Sequence, residues 1–139
     1  MKISDLVQVS RAAVLCLHRG AIAETWGSHG VRDDGLLASA MARPTQAYGS
    51  ELVFPSLAKM AAALVVGIIR NHPFVDGNKR TGLLAGLAMI ELNGFLMPHA
   101  QEQWVKAAVD IACHRMSEEL LADMFAEAMG GDCPIELDD

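Results

Sequence analysis

Apolar residues recur along this chain mostly at helical spacing. Leu6, Val9, Ala13 and Leu17 stand three or four apart and predict a first helix, with Ser4 or Asp5 as its cap and Gly20 as its stop. Residues 26–35 are rich in Gly, Ser and Asp and read as loop. Asp33 or Asp34 caps a second helix through Leu36, Leu37, Ala40 and Met41. Pro44 disfavours helical geometry at Arg43 and ends it. Around Tyr48, residues 44–55 carry Pro, Gly and Ser punctuation and form either a short hairpin or an irregular flap; periodicity does not decide. Ser56 caps a third helix that is apolar on nearly every face from Leu57 to Ile69, which places it at the centre of the molecule. Pro73 closes it near His72. A fourth helix, with Asn78 as cap, buries Leu83, Leu84, Leu87 and Ile90 and ends at Asn93-Gly94. A fifth covers roughly 100–114 with Trp104, Ala108 and Ile111 inward. Ser117 caps a sixth, which carries Leu120, Leu121, Met124, Phe125 and Met129 and stops at Gly130-Gly131. Residues 130–139 read as a flexible acidic tail. The pattern predicts an all-α fold of about six helices, with a flap before the central helix, in a single domain over 1–139.

Composition narrows the function classes. The chain is 52% hydrophobic and 20% charged, which excludes a disordered segment. Aromatics are few, and Ala, Leu and Met favour packed helices over sheets. A net charge of −6 argues against non-specific nucleic-acid binding, which needs a basic face. The three cysteines, Cys16, Cys113 and Cys133, are widely separated and show no metal-ligand spacing, so a reduced, cytoplasmic setting is expected. The start, Met1-Lys2-Ile3-Ser4-Asp5, lacks signal-peptide architecture. The longest apolar run, Met60 to Ile69, is too short to span a bilayer, and no membrane partner is expected.

The segment from His72 to Gly82 carries the candidate chemistry. Asp76-Gly77-Asn78 before a strong helix has two readings: a plain turn with an N-cap, or an anion site made by free backbone N–H groups at a helix start. Lys79 and Arg80 are easier to explain on the second reading, because cations in a first turn oppose the helix dipole unless an anion binds there. Asp76 suits a Mg²⁺ ion shared with phosphates. His72 suits a general base, and Phe74 suits a core anchor that pins the loop. Arg32 and Asp33 read as a structural pair bracing the loop before the second helix, and Arg70 reads as a charge solvating a helix end. His18, His29 and His99 read as surface or loop histidines, and Trp26 and Trp104 as packing residues.

The segment resembles the Fic/Doc family signature H-x-F-x-[D/E]-G-N-x-R, matching it at His72, Phe74, Asp76, Gly77, Asn78 and Arg80. Upstream, Val31 to Ala40, Arg43-Pro44 and Tyr48-Gly49 are similar to the first half of death-on-curing (Doc) proteins, and Leu92-Asn93-Gly94 closes the match at about residues 30–97. The resemblance implies the compact, mostly helical Fic fold with a flap near residues 44–55, and ATP and Mg²⁺ as cofactors. It implies catalysis by His72, Asp76, Lys79 and Arg80. Nucleotide would be held by Phe74, Gly77, Asn78, Lys79 and Arg80, and metal by Asp76.

Two departures bear on the chemistry. AMP-transferring members carry G-N-G-R-x-x-R, but Lys79 stands at the second Gly and Leu83 at the final Arg. Losing that Arg removes charge-assisted hydrogen bonds worth roughly 1.5–3 kcal/mol. The N-K-R form resembles Doc toxins, which implies transfer of the γ-phosphate to a Ser or Thr hydroxyl of elongation factor Tu and arrest of translation. AMP transfer to a protein hydroxyl and a catalytically silent Fic-fold binding module are the alternatives. No Ser or Thr has Glu four residues later, so the self-inhibitory motif of many Fic proteins is missing. The resemblance then implies inhibition in trans by a small antitoxin whose tail folds onto an apolar groove, placed along the first and last helices.

Overall fold

The computed structural model describes residues 1–25, 27–99 and 101–139. Trp26, read above as a packing residue, lies outside them, as does Ala100 at the expected start of the fifth helix. Among the described residues there are six α-helices: α1 (Arg11–Thr25), α2 (Asp34–Ala42), α3 (Leu57–Asn71), α4 (Asn78–Leu92), α5 (Glu102–Ala112) and α6 (Glu118–Met129). Between α2 and α3 a hairpin of two short strands, β1 (Ala47–Tyr48) and β2 (Glu51–Leu52), pairs Ala47 with Leu52 and Tyr48 with Glu51. The mostly helical fold of about six helices with a flap before the central helix, expected from the sequence, is the one observed. No described helix is long and apolar enough to cross a membrane.

α3 is the axis of the molecule. Every residue from Leu57 to Ile69 except Lys59 is buried, and α2, α4, α5 and α6 pack around it. α4 crosses α3 closely because Gly82 and Gly86 present no side chain there. A Cβ on Gly82 would lie 3.1 Å from the Val65 carbonyl, and one on Gly86 would clash with the Val65 side chain. Trp104 and Phe125 close the core from α5 and α6 with their rings 5.3 Å apart. Helix starts follow the capping rules where a short polar side chain is free to turn back. Asp33 accepts from the Leu36 N–H, Ser56 from Lys59 and Ser117 from Leu120.

α1 departs from expectation at both ends. Ser10, not Ser4 or Asp5, accepts the Ala13 N–H at 3.1 Å and opens the helix. The helix then continues through Gly20, because Ala21 and Ile22 beyond it are buried. That burial outweighs the ~1 kcal/mol that an interior Gly costs a helix. The residues before α1 are engaged elsewhere: the Ile3 N–H donates to the Glu136 carbonyl at 2.8 Å. The acidic tail therefore does not hang free. Its Ile135 is buried, and its backbone pairs with Pro55 as Cys133 pairs with Leu57.

Candidate active site

α3 ends where Pro73 bars a further helical residue. His72 takes the left-handed conformation, φ 53° and ψ 53°, and its side chain is exposed. A non-glycine residue held there stores strain, roughly 1–3 kcal/mol, that the surroundings must over-determine. Arg32 does so. Its Nε donates to the His72 carbonyl at 2.8 Å and its Nη2 to the Asn71 carbonyl at 3.1 Å. The Arg32 and Asp33 N–H groups both donate to the Pro73 carbonyl. Arg32 therefore braces the turn after α3 rather than pairing with Asp33, whose carboxylate caps α2.

The turn into α4 is built differently from the side-chain-capped starts of α1, α2, α3 and α6. Gly77 is the N-cap residue, at φ 78°, and supplies no side-chain cap. Asn78, expected as the cap, sits inside the helix with its side chain buried and turned back. Its Oδ1 accepts the Phe74 N–H at 2.9 Å, and its Nδ2 donates to the Phe74 carbonyl at 3.0 Å. The Phe74 ring is fully buried. One buried amide thus satisfies both backbone groups of a core residue, and what Asn78 itself has left for a ligand is its backbone N–H. Asn78→Ala should leave both Phe74 groups unsatisfied, at about 1–3 kcal/mol each. Urea unfolding should show a lower midpoint at unchanged slope; an unaltered midpoint would remove the latch.

With no side-chain cap, the N–H groups that open α4 have no intrahelical partner. Thr81 makes the first helical bond, to the Gly77 carbonyl at 2.9 Å. Lys79 and Arg80 stand exposed in that first turn. Arg80 is ion-paired with Glu24 at the end of α1, a partner the sequence reading missed. Asp76 lies exposed just before the turn, and its Oδ2 accepts the Ser28 N–H at 2.8 Å. The predicted residues His72, Asp76, Gly77, Asn78, Lys79 and Arg80 thus fall on one short loop and helix start, pinned by Phe74 beneath. Two more features the sequence hid belong to the same loop. His18 is buried under it, with Nε2 2.8 Å from the Asp76 carbonyl oxygen. Gly30 accepts the Val75 N–H at 3.1 Å.

The family model of the Fic/DOC family matches residues 8–90, from the start of α1 almost to the end of α4. The chain belongs to the Fic/DOC family. The match begins well before residue 30, where the resemblance read from the sequence began. The chain is also similar to a curated relative named Toxin Doc from Mycolicibacterium smegmatis, 48% identical over 65 residues. That match spans 46% of this chain and about half of the relative's own length, 49%.

Among the described residues no three His, Cys, Asp or Glu side chains gather as a metal cage. A site that shared Mg²⁺ with nucleotide phosphates would need none, because Mg²⁺ is usually held by one or two carboxylates plus the phosphates. Asp76, at the mouth of a helix start with free N–H groups, fits that donor set. Arg70 lies elsewhere. With Arg43, Arg115 and Glu118 it lines a cavity of about 510 Å³ at the start of α6, and none of residues 72–80 borders that cavity.

Proposed function

We propose that this Fic/DOC protein is a Doc-like toxin that transfers the γ-phosphate of ATP to a Ser or Thr hydroxyl of a translation factor, with elongation factor Tu as the expected target. The observation that carries this reading is the start of α4. It lacks a side-chain cap, and its first turn holds two cations beside Asp76. An anion is what such a start accommodates. Lys79 and Leu83, in place of the Gly and Arg of AMP-transferring members, favour γ-transfer over AMP transfer.

ATP supplies the phosphoryl group and leaves as ADP, with Mg²⁺ neutralising its phosphates. His72 takes the proton of the target hydroxyl, whose oxygen then bonds to phosphorus as the bond to ADP breaks. Asp76 holds the metal. The N–H groups at Asn78 and Lys79 and the Lys79 ammonium bind phosphate oxygens. Arg80 joins them by exchanging Glu24 for phosphate, a small cost because exposed ion pairs contribute only about 0–1 kcal/mol. Such positioning and charge neutralisation are most of what phosphoryl transfer needs. The hairpin Ala47–Leu52, with Tyr48 88% exposed, offers edges on which an extended target segment adds a strand. A small antitoxin that folds onto α1 and α6 would inhibit the toxin in trans, in a reduced cytoplasmic setting.

The test is transfer from ATP labelled separately at the α and γ phosphates, with Mg²⁺ and elongation factor Tu. Label from γ alone is expected. Label from α would make the chain an AMP transferase despite Lys79 and Leu83. Nucleotide binding with no transfer would favour the silent binding module.

A further inference from the structure

α1 passes directly beneath the loop, and His18 is its point of contact. The ring is 3% exposed and stacks on Phe74 with centroids 3.9 Å apart and planes 9° apart. Its Nε2 lies 2.8 Å from the Asp76 carbonyl oxygen. A carbonyl only accepts, so Nε2 carries the proton and donates. One turn later Ile22 lies under the next residue: a Cβ on Gly77 would sit 3.0 Å from Ile22 Cδ1 and 3.6 Å from His18 Cδ2. α1 therefore holds the Phe74 ring, the Asp76 carbonyl and the Gly77 backbone at once.

The peptide between Asp76 and Gly77 is planar and trans. Its C=O and N–H point in opposite directions, so pinning the carbonyl toward α1 turns the Gly77 N–H away from α1. The same plane sets where the Asp76 side chain leaves the backbone. We infer that His18 is a positioning residue of this site: by fixing the Asp76–Gly77 peptide plane it aims the Asp76 carboxylate at the cation and adds the Gly77 N–H to the phosphate-binding set. This rests on the phosphate reading of residues 76–80 above. His18 reaches the reaction only through Asp76 and Gly77.

Two substitutions separate the hydrogen bond from the stack. His18→Phe keeps an aromatic face on Phe74 but cannot donate, and a cavity of about 220 Å³ lined by Leu15, His18, Arg19, His29, Gly30 and Val31 borders the position. His18→Gln restores an Nε2 donor but loses the stack. Three quantities are measured on the full chain: ATP affinity with and without Mg²⁺, exchange of the hydrogen-bonded Phe74 and Val75 amides, and Tm. His18→Phe is expected to weaken Mg²⁺-dependent ATP binding about 10–100-fold, the range for losing a partner that orients a metal ligand. The same variant should speed amide exchange at Phe74 and Val75 while Tm stays near that of the unaltered chain. His18→Gln should recover most of the binding despite a lower Tm. Wild-type affinity in His18→Phe, or losses in both variants that simply follow Tm, would overturn the inference. An unaltered chain that binds Mg²⁺ and ATP yet transfers no label would refute the kinase reading alone, leaving the role of His18 to be decided by the binding and exchange results. An unaltered chain that binds no ATP would overturn both.

Discussion

His72→Ala is expected to lower transfer of the γ-label by about 10²–10⁴-fold, the range over which a positioned general base contributes. The argument starts from the backbone. His72 is exposed yet held in the left-handed region, which residues other than glycine adopt infrequently. Arg32 on one side and the Pro73 carbonyl contacts on the other keep it there. Strain kept at an exposed position beside a phosphate-type helix start is the arrangement expected of a functional side chain. Alanine at 72 adopts the same backbone at similar cost, and removing an exposed ring leaves no cavity. Stability should therefore change within about 0.5 kcal/mol, as for ordinary surface substitutions. ATP affinity should hold as well, because the role proposed for His72 is on the acceptor hydroxyl and not on the phosphates. Single-turnover transfer, ATP titration and Tm, measured side by side, separate these effects. A variant that transfers at the wild-type rate ends the assignment of His72 as base, and one that loses ATP binding relocates its role to the nucleotide.

Much of the scaffold around this site was legible because its signals are local. The continuous apolar run of α3 needs no partner to be read as a core helix, and Ser56, Ser117 and Asp33 cap the helices that follow them. The signature residues from His72 to Arg80 are contiguous, so their meeting on one loop follows from sequence order. What stayed hidden depends on long-range backbone partners. His18 and Arg32 bond to carbonyls of residues 58 and 40 positions away. A carbonyl leaves no mark on the sequence, since every residue has one. A histidine within a helix then reads as surface, and an arginine beside an aspartate reads as its partner. Asn78 misled for a related reason: at a helix start an Asn side chain usually bonds its own N–H groups, but here the buried Phe74 backbone competes for it and wins. The start of α1 shifted because the first residues pair with the tail some 130 positions on, which no local pattern announces.

The second large effect is expected at Asp76. Asp76→Asn keeps an oxygen able to accept the Ser28 N–H, so the loop should hold its shape. The substitution removes one negative charge from the mouth of the α4 start. In the presence of Mg²⁺ that charge should stabilise the ion shared with the phosphates. Without it, transfer should fall by about 10²-fold or more, since bound-metal charge stabilisation is worth several kcal/mol and each ~1.4 kcal/mol is tenfold in rate. Without Mg²⁺ the sign reverses, because an aspartate facing phosphate oxygens only repels them. The variant should then bind ATP no more weakly than the wild-type chain. The two binding curves should cross as Mg²⁺ is added, with wild type tighter at high Mg²⁺ and Asp76→Asn equal or tighter at none. This crossing separates a metal ligand from a residue that merely shapes the loop, whose loss would weaken binding at every Mg²⁺ concentration alike. It also separates the role of Asp76 from that of Lys79, because Lys79→Ala should weaken ATP binding with or without the ion. Curves that run parallel for wild type and Asp76→Asn would place the metal, or the need for one, somewhere other than Asp76.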